Sequence, residues 1–489
     1  MDRALWDMVR PATITRHFEE LAIADGFQRG RLYAVGIDIG NWFYDIHAAY
    51  RPEAIRGVNP ELRVLFYRLA RLCALPIRPV FVFDGADRSM ARRGRYSLQD
   101  DEFVARLKTL LGTFGFAWHI APACAAAELA RMNKDGVIDG VITDDFEVLA
   151  YGAKTLIQPS LYCTTRPFAN PFVRVLTIDS IASNPAVRLR RGGVILLTIL
   201  RCGNGNTTFG INGARPSIAI ALALARTRLG EALIEAAARP HAEVITCLDI
   251  WREDFKAELR TNISGSVASE GSKLADRITD QFPNLGALKA ILEPPTSWTT
   301  GLAMAPEIAD RLALDLAALA EFCGEHFEFG TINAIMTKIL SVLSRGIVMD
   351  MLLQQISEGV LSGVPVFDIL QILKTRLHTS TSYFEYRVEI NTCDLPEIVQ
   401  ARAGDPSPEL PGNAAPALSI FVWVPGPVLF AAFPALVNDF HKHNGTSRTP
   451  RDGDAIDLTE SDSESETSDV ELLGGNIINL VSDSDSNSE

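Results

Sequence analysis

HIAPACAAAELARMNKDGVIDGVITDDFEVLAYGA, residues 119–153, is the stretch whose reading decides the fold. Ala125, Ala126, Leu129, Ala130 and Met132 give one apolar helix face, and Gly136 suits a left-handed stop. Val137 to Thr143 is a short apolar run of the kind that a parallel sheet buries on both faces. At its carboxyl end stand Asp144, Asp145 and Glu147, on the edge where an open α/β sheet binds ligands.

The same rhythm extends in both directions. Leu32 to Ile39 is an apolar run that contains Gly36-Ile37-Asp38. A helix is expected from Asn59 as cap, with Pro60 in its first position and Leu62, Leu65, Phe66, Leu69, Leu72 and Cys73 at helical spacing. Pro79 to Phe83 runs into Asp84-Gly85, followed by the basic residues Arg88, Arg92, Arg93 and Arg95. Phe103, Leu107, Leu110 and Leu111 mark another helix, stopped near Gly112 and Gly115. Phe116 to Ile120 and Lys154 to Gln158 are further strands. Strands alternating with helices at this pace predict an α/β fold, a mostly parallel sheet with helices on both faces. Three runs end in acids: Asp38, Asp84 and the Asp144/Asp145/Glu147 group. A single acid at a strand end commonly just accepts the free amides of the next helix. Three such ends converging on one edge favour a metal or phosphate site.

Arg190 to Leu200 is an apolar helix leading to a glycine- and asparagine-rich stretch, then Gly210-Ile211-Asn212-Gly213 and an alanine-rich helix from Pro216. A turn of this kind either closes a helix pair or aims backbone amides at a DNA phosphate. Helical pattern continues to about residue 345, with a loop at Glu293 to Trp298. Tyr383 to Ile390 alternates as a strand does, and with Ile420 to Val424 it predicts a small β-rich domain over about 360–440; 403–416 is a proline-rich loop. Ala417 to Val437 is uncharged, but Pro425, Gly426, Pro427 and Pro434 would break a spanning helix. It reads as buried strand and turn, and no membrane partner is expected.

The chain of 489 residues has room for two to four domains, and its 47% hydrophobic and 22% charged residues fit a globular protein. The net charge of −14 at first sight argues against a nucleic-acid binder. Its distribution removes that objection. Residues 451–489 hold twelve acids and one base, which leaves only −3 for the preceding 450 residues. Seven cysteines are scattered without a CxxC pair, as in a reducing compartment, and the N-terminus lacks the apolar core of a signal peptide.

The motifs together resemble the structure-specific 5′ nucleases of the XPG/flap-endonuclease superfamily, and within it the fungal Holliday-junction resolvase branch. The resemblance covers residues 1 to about 345. It rests on LWD at 5–7, GIDIGNW at 36–42, VFVFDGADR at 80–88, ARRGR at 91–95, the AP pair at 121–122 with its alanine-rich helix, and VITDDFEVLAYGA at 141–153. GGVILLTIL at 192–200 with GING at 210–213 resembles the family's helix-two-turn-helix region. EFCGEHFEFG at 321–330 and FVWVP at 421–425 resemble the chromodomain-like part of the fungal resolvases. The resemblance implies a PIN-like, resolvase-like core over 1–190, a helix-two-turn-helix and helical region over 191–345, a chromodomain-like module over 346–440 and a disordered acidic tail over 441–489.

It also implies hydrolysis of phosphodiesters in branched DNA, at flaps or Holliday junctions, with two Mg²⁺ ions held by seven carboxylates. Mg²⁺ takes hard oxygen ligands, and a metal pair activates water and stabilises the leaving oxygen. Asp38, Asp84 and Asp145 match the family's aspartates, and Glu147 replaces a further one. The helix after the AP pair should carry two glutamates, but Cys124 and Ala126 stand there, and Asn204 takes the place of the last aspartate. Cleavage is therefore expected to be weak or lost. An active Mg²⁺-dependent endonuclease, its site completed by Asn204 and by Glu128 one helical turn beyond Cys124, is the competing reading. DNA contact is expected from Arg88, Arg92, Arg93 and Arg95 and from the turn at Gly210, Ile211 and Gly213, irrespective of base sequence. Such a role calls for the nucleus.

From about Lys442 the chain is polar and acidic. Ile456-Asp-Leu458 and Ile477-Ile478-Asn-Leu480-Val481 each precede an acidic serine run. Both resemble SUMO-interacting motifs, in which a short β-branched segment adds a strand to a partner while acids meet its basic rim, and phosphoserine would strengthen that contact. A SUMO-binding scaffold that no longer touches DNA is the third reading.

Overall fold

The computed structural model describes residues 3–49, 58–85, 101–159, 171–201, 211, 215–225, 227–261, 271–299, 310–358, 369–377, 381–391 and 419–443. The chain forms two compact units, one of residues 1–69 and 77–312, the other of residues 70–76 and 313–489.

The first unit is built on a seven-stranded sheet: β1 (Ile14–His17), β2 (Tyr33–Asp38), β3 (Ile77–Phe83), β4 (Ala117–Ile120), β5 (Gly140–Ile142), β6 (Thr155–Pro159) and β7 (Phe172–Thr177). Their spatial order is β1-β7-β6-β5-β2-β3-β4. The expected strands are β2 to β6, and all of these pair in parallel. β7 and β1 extend the sheet antiparallel beyond β6. β2 lies in the middle, with Ile37 opposite both Phe81 of β3 and Ile142 of β5, so the carboxyl ends of three adjacent strands come together.

Helices form where apolar periodicity predicts them: Pro60–Cys73, Asp101–Thr113, Ala125–Lys134, Arg191–Arg201 and Pro216–Leu224. Gly136, just beyond the 125–134 helix, has φ +78°, the left-handed conformation that a glycine adopts without steric cost. Leu129, Val141, Leu156, Val194, Leu197, Leu233 and Phe255 belong to one continuous core that joins the sheet to the helical region, which also contains Leu229–Ala237 and His241–Thr261.

The second unit contains the helices Leu316–His326 and Ile332–Glu358 and a three-stranded antiparallel sheet. Its strands are β8 (Ile369–Leu377), β9 (Phe384–Asn391) and β10 (Ser419–Pro425), in the order β10-β9-β8. The 332–358 helix is long and apolar enough to span a bilayer by length and composition, and half of its most apolar window is buried within the chain. The uncharged segment after residue 417 corrects the expectation of strand and turn. β10 is followed by two short helices, Gly426–Ala432 and Pro434–His443, because Pro427 and Pro434 sit in first turns, where a missing N–H costs nothing.

Candidate functional site at the strand ends

Asp38 closes β2 and is 4% exposed. Its Oδ1 accepts the N–H of Gly40 at 2.9 Å. Asp84 follows β3 directly, and its Oδ1 accepts the N–H of Ala125 at 2.9 Å, the first residue of the 125–134 helix. The junction is tight. Gly85 N–H donates to the Ala123 carbonyl at 2.8 Å, and a Cβ at Gly85 would stand 1.9 Å from the Ala121 oxygen, so only glycine fits beside the AP pair. A Cβ on Gly40 would lie 3.1 Å from Asp38 Oδ1 and 3.7 Å from Asp84 Oδ2. The two carboxylates therefore flank one point at the centre of the edge.

Asp145 sits beyond β5. Its Oδ1 accepts the Glu147 N–H at 3.0 Å, and its own N–H donates to Thr143 Oγ1 at 3.1 Å. Asn41 Nδ2 also donates to Thr143 Oγ1, which ties the helix after β2 to the end of β5. Glu147 opens the short helix Glu147–Ala150 and is half-buried. Asp144 turns the other way: its Oδ1 accepts from Gln158 Nε2 at 2.9 Å, and its carbonyl accepts from Trp6 Nε1 at 3.3 Å. Burial raises the Asp144 carboxyl above the ordinary carboxylate range, against the lowering effect of the Gln158 amide.

Cys124 is the N-cap residue of the 125–134 helix and makes no side-chain capping bond; Ala126 is 1% exposed. Glu128 neither reaches the strand-end edge nor lies on the surface. It is fully buried, with Oε1 3.0 Å from His119 Nε2 and Oε2 accepting the Ser297 N–H at 2.9 Å. His119 Nε2 also lies 3.1 Å from Ser297 Oγ. Serine and glutamate meet the same ring nitrogen, which rules out a relay from carboxylate through imidazole to hydroxyl, a path that needs both nitrogens.

The structure thus brings Asp38, Asp84, Asp145 and Glu147 to the ends of adjacent central strands, and three of them accept backbone amides there. Among the described residues, no three His, Cys, Asp or Glu side chains stand in an arrangement that would hold a metal ion. Ile211 is buried in the core at 2% exposure. Asn204, Arg88, Arg92, Arg93, Arg95, Gly210 and Gly213 lie outside the described residues, as do Ile456, Leu458, Ile477, Ile478, Leu480 and Val481 of the tail. Sequence reasoning missed Thr143, Asn41 and Gln158 as organisers of the edge. Their polar side chains beside the acids were the available signal.

The family model of the XPG N-terminal domain matches residues 4–96, and that of the XPG I-region matches residues 115–203. Flap endonuclease 1 of Cryptosporidium parvum is 28% identical over 164 residues, which cover 25% of this chain and 34% of that protein. Flap endonuclease GEN homolog 1 of Mus musculus is 26% identical over 216 residues, covering 40% of this chain and 22% of the relative. The chain therefore spans about a third or less of the length of these curated relatives. A crystal structure of the Holliday junction-resolving enzyme GEN1 in complex with product DNA and Mg²⁺ superposes with a TM-score of 0.68 at 26% identity, covering 91% of this chain and 100% of that one. Human GEN1 in complex with Holliday junction DNA shares the fold at 17% identity, with a TM-score of 0.59 over 90% of this chain and 97% of its own.

Proposed function

This chain belongs to the XPG/flap-endonuclease superfamily of structure-specific nucleases, and from that premise we propose that it recognises branched DNA, a flap or a Holliday junction, with cleavage weak or lost. One observation carries the second half of this reading. The carboxylate of Asp84 accepts the amide that starts the 125–134 helix, and the positions on that helix where the family resemblance calls for glutamates are Cys124 and Ala126. A thiol and a methyl supply no hard oxygen, so the described residues do not fit a complete two-ion magnesium site. Loss of a single group behind a metal ligand weakens affinity or activity roughly 10–100-fold, and loss of direct ligands should cost at least as much.

The recognition half rests on the likeness to proteins crystallised with junction and product DNA. Arg88, Arg92, Arg93 and Arg95, following Asp84 in the chain, are proposed to meet phosphates, with Gly210 and Gly213 as a second contact; Ile211, expected to join them, is buried and serves the apolar core instead. Affinity would then fall steeply with salt and depend little on base sequence. Such a substrate calls for a nuclear location. The two hydrophobic islands of the tail, Ile456/Leu458 and Ile477/Ile478/Leu480/Val481, are proposed as SUMO-binding segments; deletion of 451–489 should abolish SUMO binding, and unchanged binding would remove that proposal.

The test is binding and cleavage of labelled flap and four-way-junction DNA with Mg²⁺. Tight, salt-sensitive binding of branched over linear duplex with background cleavage is expected. Failure to bind any branched DNA at low salt would contradict recognition.

A further inference from the structure

The 125–134 helix begins at the carboxylate edge, where Ala125 binds Asp84, and ends on the far side of the sheet. There Asn133 Oδ1 accepts the N–H groups of Lys154 and Thr155 at the start of β6, at 2.7 and 2.9 Å. Ten helical residues span about 15 Å. Along this second half of the helix lies a cavity of about 340 Å³. Arg131, Lys134, Arg191 and Lys289 line it with Tyr151, against one lining acid, Glu293.

Four cations face one cavity with a single acid among them, so an anion seated there would gain from several charges at once. Arg131 has a partner in Asp135 at 2.6 Å, and its guanidinium lies 5.6 Å from the centre of the Trp298 ring. Among the described residues, Lys134, Arg191 and Lys289 make no ion pair. The wall is built rather than incidental. Glu128, fully buried, holds Ser297 in the adjoining loop, and within that loop Thr296 N–H donates to Thr299 Oγ1 at 2.7 Å. A cavity of this size suits a small molecule. Ammonium and guanidinium groups with a phenol hydroxyl match phosphoryl oxygens, which accept several charge-assisted hydrogen bonds at once.

We propose that this cavity binds a small polyphosphorylated anion, a compact molecule carrying two or more phosphoryl groups, at a site separate from the strand-end carboxylates. The proposal stands apart from the DNA-binding reading, because it uses none of the residues assigned to DNA.

The test is isothermal titration of the full chain with inorganic tripolyphosphate, and with inorganic phosphate for comparison. One saturable site is expected, with tripolyphosphate bound more tightly than phosphate. Lys134→Ala, Arg191→Ala and Lys289→Ala should each weaken it about fivefold to tenfold. The triple variant should lose binding while its circular dichroism spectrum and four-way-junction affinity stay unchanged. All three side chains are exposed, and the single variants keep the test open should the triple variant misfold. Absence of a saturable site, or equal binding by all three single variants, would overturn the proposal. Displacement of tripolyphosphate by junction DNA would assign the cavity to the nucleic-acid backbone and equally overturn it.

Discussion

Asp84 accepts the backbone N–H of Ala125 at 2.9 Å, so the acid at the end of a central strand is also the acceptor that starts the helix beside it. Of the two readings of strand-end acids, helix cap and ligand site, this hydrogen bond shows the first. Asp38 and Asp145 accept the amides of Gly40 and Glu147 in the same way.

Asp84→Ala should therefore lower stability by about 1 kcal/mol through loss of that acceptor. Asp84→Asn keeps an oxygen in place and should lose only a few tenths of that. Urea unfolding of both variants separates the roles. An asparagine variant as unstable as the alanine variant would show that charge rather than hydrogen bonding matters there.

Glu128 holds His119 and Ser297 from a fully buried position. Glu128→Ala strands the Ser297 N–H and should cost about 2–3 kcal/mol. Limited proteolysis should then cut within 293–299 faster than in the parent chain. Cutting at the parent rate would mean that the loop is held by other contacts.

Burial raises the Asp144 carboxyl above its usual 3.8. Folding therefore favours the protonated form, and this contribution, complete below the ordinary pKa, is lost as pH rises through the folded-state value. Asp144→Asn keeps an acceptor for Gln158 without the charge. Its urea midpoint should match the parent in acid and exceed it increasingly as pH rises above the ordinary carboxylate value. A variant less stable than the parent near neutrality would contradict this account.

In the second unit, Glu385 is 2% exposed and meets Arg376 Nη2 at 2.8 Å and Arg345 Nη2 at 3.4 Å. Arg376 in turn covers the Trp423 ring at 4.1 Å. Glu385→Ala removes the buried carboxylate that two arginines, each 41% exposed, share, and should destabilise this unit by about 1 kcal/mol. Calorimetry should show the loss in one transition. A parent-like thermogram would show that the pair contributes nothing.

Apolar runs made β2, β3, β5 and β6 legible, because a strand buried on both faces leaves a continuous run; β4, at the sheet edge with Trp118 and Ile120 exposed, was legible from its aromatic and β-branched residues alone. β1 is four residues long with two of them exposed, and Ile14–His17 carries no such run. β7 alternates Phe172, Val173, Arg174 and Val175 at the partly exposed end of the sheet. The convergence of Asp38, Asp84 and Asp145 was legible because parallel strands put their carboxyl ends on one edge. The direction of each side chain was not. Asp144 and Asp145 are neighbours in the chain, yet Asp144 faces Gln158 while Asp145 caps Glu147. Nor could the sequence show that Glu128 meets Ser297, a contact across 169 positions that depends on how the helical region returns to the sheet.

The central proposal is that this chain recognises branched DNA through its family's fold, with cleavage weak or lost. The most direct measurement is cleavage of a labelled four-way junction with Mg²⁺ by the parent chain, beside a Cys124→Glu/Ala126→Glu/Asn204→Asp variant. Junction binding by both, background cleavage by the parent and a gain of cleavage in the variant is the predicted result. Efficient cutting by the parent, abolished by Asp84→Ala and by Asp145→Ala, would contradict it.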